Sequence, residues 1–249
     1  MKNKNKDKVT FVSIVPGLHL IEELKPKPAK NFIPDWFKQI PSDRTDTVRV
    51  CPSFPDYFSM GYVVPMWTDT ILRRDEKGPF WATVQDDYTW DGHGDNQFLD
   101  HCYPNFQGSE ATSVFKTESP WMLITPPGWS VLQLPMFYHF NKGYSVLPGI
   151  LDTDIHHEIN QQVLYHGDGE NVTIKAGEPF ALYVPFERKS KLGLQIRYQT
   201  EEDRHLFKSK HLDLNKHTRP NGAYRSFQRR RDKDLENKKG RWPWTKTQK

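Results

Sequence analysis

The chain reads as a mainly β protein: a small antiparallel barrel or sandwich with an extended N-terminal arm and a basic C-terminal tail. Three observations predict this. Only 36% of residues are hydrophobic, yet 13% are Phe, Tyr or Trp and 19 Pro stand against 15 Gly. That balance disfavours a helical bundle and suits strands joined by turns. Between Trp121 and Arg188, short apolar runs recur at roughly ten-residue spacing between Gly/Pro turns, the pattern of antiparallel strands. Charge is also uneven: residues 205–249 hold 14 Lys/Arg and 4 Asp/Glu, residues 1–30 hold 7 and 3, and residues 31–204 hold 14 and 24. An acidic body with basic ends describes the chain better than its net charge of +4.

Taken in order, Val9–Val15 predicts a strand stopped by Pro16-Gly17. Pro34 suits a first helical position with Asp35 in the first turn, so a short helix is expected over 34–40, burying Trp36, Phe37 and Ile40. Pro52 and Pro55 punctuate a short segment before a strand at Tyr62–Trp67. Thr70–Arg74 and Phe80–Val84 flank Asp75–Pro79 as a hairpin, and residues 86–110 read as a long loop. Trp121–Ile124 and Trp129–Leu134 flank a turn at Thr125–Gly128, and strands follow at 144–147, 159–165, 172–174 and 180–186. After about Thr200 the pattern stops, with marginal helix potential at 229–239. The expected organisation is an arm at 1–45, a β-rich body at 46–200 and a tail at 201–249.

No apolar run approaches the roughly 20 residues of a membrane span. Met1–Lys8 lacks the apolar stretch of a signal peptide, and Cys51 and Cys102 are too few for a disulfide framework. A reduced protein of the cytoplasm, without membrane partners, is expected.

One stretch resembles a known family. Gly149-Ile150-Leu151-Asp152-Thr153-Asp154 is similar to the Gly-Val-Ile-Asp-x-Asp-Tyr motif of the dUTPase and dCTP deaminase family. Glu158-Ile159 and Val172–Val184 resemble its closing strands, and Pro126-Pro127-Gly128-Trp129 resembles the Pro-Pro-Gly lead into an earlier one. The resemblance covers residues 121–188 and implies a β-clip fold of short, distorted strands, commonly a trimer. It places Asp152, with Asp154 beside it, where the family's water-activating acid stands, in a reaction that uses Mg²⁺. Three nucleotide-binding groups are replaced. Ile155 takes the place of a stacking Tyr, no Pro-Arg-Ser-Gly occurs between Leu132 and Gly149, and Leu182 stands for a Gln. The alternative role for Asp152 and Asp154 is a tight turn, hydrogen-bonded to local backbone amides. A second resemblance, through Pro28-Ala29-Lys30, Ile33–Phe37 and Pro148–Asp152, is to an uncharacterised family of tailed phages, including cyanophages, over residues 28–188.

Other chemistry has thinner support. His93-Gly94-Asp95 and His166-Gly167-Asp168 have the His-x-Asp spacing of a non-haem Fe²⁺ site. A third ligand would come from His101, His139, His156 or His157, and Arg188 could hold a cosubstrate carboxylate. On a strand, His156 and His157 would face opposite ways, so at most one joins a site. Solvated turn residues are the preferred reading of both patterns. In the tail, Arg229-Arg230-Arg231 and Arg241-Trp242-Pro243-Trp244 mix cations with aromatics, which suits phosphate contact with stacking, or anchoring on another subunit; the third reading is a disordered, solubilising tail.

The leading expectation is a non-enzymatic structural or interaction protein of phage type, cytoplasmic or in the virion, without a cofactor. It would bind like subunits or virion proteins, or nucleic acid through Arg229, Arg230, Arg231, Trp242 and Trp244. The alternatives are a nucleotide-processing enzyme with Asp152 as general base, and an iron oxygenase using His93 and Asp95.

Overall fold

The computed structural model describes residues 8–44, 47–84, 90–92, 113–167, 170–189 and 193–215. It divides into two units, residues 1–34 with 59–191 and residues 35–58 with 192–249. Among the described residues, no helix is long and apolar enough to cross a membrane.

The first unit is mainly β, built from short antiparallel strands. β1 (Thr10–Ser13), β2 (Lys27–Pro28), β3 (Tyr62–Pro65), β4 (Thr70–Asp75), β5 (Gly78–Thr83), β6 (Trp90–Gly92) and β7 (Ser113–Glu118) come first. β8 (Trp121–Ile124), β9 (Trp129–Pro135), β10 (Tyr144–Val146), β11 (Gly149–Leu151), β12 (Asn160–Tyr165), β13 (Val172–Ile174) and β14 (Pro179–Glu187) follow. They form a five-stranded sheet β11-β9-β14-β3-β2, a four-stranded sheet β10-β12-β7-β6, a three-stranded sheet β13-β4-β5, and the pair β1-β8. The expected hairpin is present: β4 and β5 pair from Thr70↔Thr83 to Asp75↔Gly78. The Pro-Pro-Gly turn joins strands of different sheets, because β8 pairs with β1 whereas β9 lies between β11 and β14. β6 corrects the reading of 86–110 as loop throughout, since Trp90–Gly92 pairs with β7; residues 93–110 lie outside the described residues.

The aromatic weight of the composition goes into the core. β14 is central in its sheet, and Phe180 through Tyr183 are all buried, which accounts for its unbroken apolar run. The Phe180 ring lies 5.8 Å from Trp67, 6.4 Å from Trp90 and 5.8 Å from Tyr144. A few large rings fill volume that an aliphatic-poor chain cannot fill with Leu and Ile. A polar thread crosses the core as well: buried Gln161 donates to the Tyr183 hydroxyl at 2.7 Å, which donates to Gln133 Oε1 at 3.1 Å.

Gly61 enters β3 at φ +69, and a Cβ there would sit 2.2 Å from the Tyr183 carbonyl oxygen. The left-handed backbone alone costs a non-glycine residue about 1–2 kcal/mol, and the obstacle is rigid main chain. Gly61→Ala is therefore expected to destabilise by more than that amount, read as a lower urea midpoint.

The second unit contains α1 (Asp35–Lys38), α2 (Ser53–Ser59) and α3 (Glu201–Asn215). α1 is shorter than the expected 34–40 helix. Phe37 is buried, packed 4.9 Å from Phe58 and stacked 6.1 Å from Phe54, while Trp36 and Ile40 are only half-buried. Arg49 donates to the carbonyls of Phe37, Lys38 and Ile40, satisfying acceptors that the helix end leaves open. α3 corrects the reading that pattern ends near Thr200. Its start is a reciprocal cap: Asp203 N–H donates to Thr200 Oγ1, and the Thr200 N–H and hydroxyl donate to the Asp203 carboxylate. Arg197 pairs with the same carboxylate.

Candidate functional site

The Gly149–Asp154 stretch carries the most concentrated polar geometry of the first unit. Gly149–Leu151 is the edge strand β11, paired with β9 through Ile150↔Leu132, and the chain turns immediately after it. The amides of Ile155 and His156 both donate to the Asp152 main-chain carbonyl at 3.0 Å, so the predicted turn forms on backbone rather than on the two carboxylates. Buried Thr153 locks it from inside. Its hydroxyl lies 2.8 Å from that of Thr125, and its carbonyl meets His157 Nδ1 at 2.8 Å.

Between the anchors of Thr153, the two carboxylates reach distant parts of the chain. Asp152 Oδ1 accepts from the Ser130 hydroxyl at 2.6 Å and from Arg188 at 3.1 Å. Asp154 takes the Arg188 guanidinium in a fork, at 2.8 and 2.5 Å, and the Gly128 amide at 2.7 Å. Gly128, at φ +85, is the glycine of the Pro-Pro-Gly turn, and its carbonyl accepts the Arg188 amide at 2.9 Å. Three segments thus close on one guanidinium: the turn before β9, the turn after β11 and the end of β14. Asp154 is 6% exposed and Asp152 55% exposed at the side chain.

The Arg188 fork, helped by the Gly128 amide, holds the Asp154 carboxyl at about 2, below its ordinary 3.8. A depressed carboxyl stabilises the fold fully above pH 3.8, and that contribution is lost as pH falls toward 2. Arg188→Met should therefore flatten the fall of unfolding free energy between about pH 4 and 2 and shift acid unfolding to higher pH. Urea unfolding across that range checks this.

The arrangement is a brace by its chemistry. One oxygen of Asp152 is committed to two donors, and Asp154 is enclosed by three. Ile155, where the resemblance expected a stacking Tyr, is 76% exposed and has no ring to offer a base. Sequence reading found Asp152 and Asp154 but assigned Arg188 only to a cosubstrate, and it did not single out Ser130.

Of the predicted histidines, His156 and His157 touch the turn through the His156 amide and the His157 ring, while His139 and His166 lie elsewhere. His139 Nε2 lies 2.9 Å from the Phe32 carbonyl, and His166 Nε2 lies 3.1 Å from Ser145. His156 and His157 fall between β11 and β12, outside any strand, with His156 exposed 3.9 Å from Glu158. Cys51 is a half-buried free thiol. Among the described residues, no three His, Cys, Asp or Glu side chains gather as a metal would require. His93, Asp95, His101, Cys102 and Asp168 lie outside the described residues, as do Arg229, Arg230, Arg231, Trp242 and Trp244.

No family model matches the chain, and no curated protein matches it. The solved structures similar to it include dUTPases. EIAV dUTPase is 11% identical, with a TM-score of 0.32 over 57% of this chain and 86% of its own. The dUTPase from phage phi11 of S. aureus is 8% identical, with a TM-score of 0.34 over 78% of this chain and 99% of its own. The Staphylococcus bacteriophage 80alpha dUTPase has the same identity, 8%, and the same TM-score, 0.34, over 78% of this chain and 99% of its own. The likeness is one of mainly β architecture.

Proposed function

We propose that this chain is a non-enzymatic interaction protein of phage type, with a dUTPase-like β body and charged ends that bind neighbouring subunits. The observation that supports it most is the commitment of Asp152 and Asp154 to Arg188, Ser130 and Gly128, a cross-brace between chain segments. The partner surface lies in the arm at 1–45 and the tail at 201–249, with Arg229, Arg230, Arg231, Trp242 and Trp244 as the tail's contacts. Opposite charge on the 31–204 body and the tail favours a second copy as the partner, because complementary fields steer association and set register. Virion proteins and nucleic acid are the competing partners for the same basic and aromatic groups.

Two measurements on the full chain test this. Incubation with dUTP or dCTP and Mg²⁺ should release no product above buffer, and Asp152→Asn should leave that result unchanged. Turnover abolished by Asp152→Asn would install the nucleotide enzyme in place of this reading. Light scattering should return a multiple of the 29.3 kDa chain mass. The Trp242→Ala/Trp244→Ala pair, combined with Arg229→Glu, Arg230→Glu and Arg231→Glu, should shift that mass toward one chain.

A further inference from the structure

A cavity of about 240 Å³ opens in the first unit between the stretch after β9, strand β10 and the start of β14. Met136, Phe137, Phe140, Tyr144 and Phe180 are among its lining residues, and His139, Asn141 and Ser145 add polar atoms. Among the described residues, no Asp, Glu, Lys or Arg lines it. This is the make-up of a small-molecule site, apolar and aromatic with a few converging polar groups.

Two features of its rim are costly to the protein alone. Phe140 has φ 52 and ψ 40, and it is the only described non-glycine residue at positive φ. Phe137 and Phe140 are 63% and 59% exposed, yet their rings hold each other edge-on at 6.4 Å, with Tyr138 against both. Strain at a solvent-facing aromatic side chain points to a use other than packing. Inside, the Tyr144 ring lies 5.8 Å from Phe180. Burial beside Glu178 keeps its hydroxyl protonated, so it retains a proton to donate.

We propose that this cavity binds a neutral, planar aromatic molecule of one or two rings, with a hydrogen-bond acceptor on its edge that meets the Tyr144 hydroxyl. The volume limits ring number, the absence of Lys and Arg from the described lining, with the His139 Nε2 held 2.9 Å from the Phe32 carbonyl, leaves a phosphate or carboxylate no cation to anchor it, and the Phe137 and Phe140 rings provide faces and edges for stacking. The site is separate from the Asp152–Arg188 brace, and the proposal does not depend on the reading of function above.

Saturation-transfer NMR on the full chain, with quinoline as the aromatic probe and cyclohexanol as the non-aromatic one, tests it. Quinoline should receive saturation and cyclohexanol should not. Tyr144→Phe should weaken quinoline binding several-fold while the ring walls persist. Phe140→Gly should abolish binding and at the same time leave the unfolding midpoint unchanged or raised, because glycine relieves the left-handed backbone. Equal saturation of both probes would overturn the proposal. So would quinoline binding that survives Phe140→Gly, or a fall in stability in that variant, which would make the ring a packing element.

Discussion

Phe180→Ala should lower the unfolding free energy by about 3–5 kcal/mol, the largest single effect expected in this protein. Phe180 is 1% exposed and touches the rings of Trp67, Trp90 and Tyr144, which come from different strands or their flanks. Its removal leaves three flat, rigid side chains around a void. Aromatic rings collapse into such a space less readily than flexible aliphatic chains, which places the cost in the upper part of the usual range for core truncation. Urea titration should show a lower midpoint with an unchanged slope. A loss below about 1 kcal/mol would mean that the ring cluster is not the centre of the core.

The second large effect concerns the polar thread. Tyr183→Phe removes a hydroxyl that accepts from Gln161 Nε2 at 2.7 Å and donates to Gln133 Oε1 at 3.1 Å, with all three side chains buried. Gln133 is also tied to the Leu147 carbonyl at 3.0 Å, so it cannot turn away to find water. Leaving both amides short of a partner should cost about 2–4 kcal/mol, since each buried unsatisfied group costs roughly 1–3 kcal/mol. Gln161→Leu is the informative contrast. Gln161 Oε1 is already buried without a partner, so an apolar side chain of similar size removes an orphan together with one bond. Its cost should stay below about 1 kcal/mol. Equal losses in the two variants would show that the thread is not organised around the tyrosine. Burial also holds the Tyr183 phenol far above its ordinary value, so neither effect should vary between pH 5 and 9.

Local pattern carried much of the architecture. β4 and β5 were legible because two apolar runs flank a turn composition, and β13 and β8 fall on the predicted Val172–Ile174 and Trp121–Ile124. α3 was missed although Thr200-x-x-Asp203 is a capping signal, because the helix that follows is polar and has weak apolar periodicity. β6 was hidden for the opposite reason. Three residues, Trp90-Asp91-Gly92, are too short for any period, and only pairing with β7 makes them a strand.

The candidate site divides along the same line. Asp152 and Asp154 were found through a six-residue motif, and the glycine of the Pro-Pro-Gly turn through its composition. Their relation was not visible, since Asp154 and Arg188 are 34 residues apart and Asp152 and Ser130 are 22 apart. By itself the sequence determined a mainly β chain, most of its turns, an aromatic-rich composition and an uneven charge, because each of these follows from composition and from short-range steric and hydropathic preferences. The tertiary structure alone decided that the Pro-Pro-Gly turn joins different sheets, and that Arg188 closes on both aspartates. Strand order and ion pairing are contacts between segments distant in sequence, and their geometry exists only once the sheets have assembled.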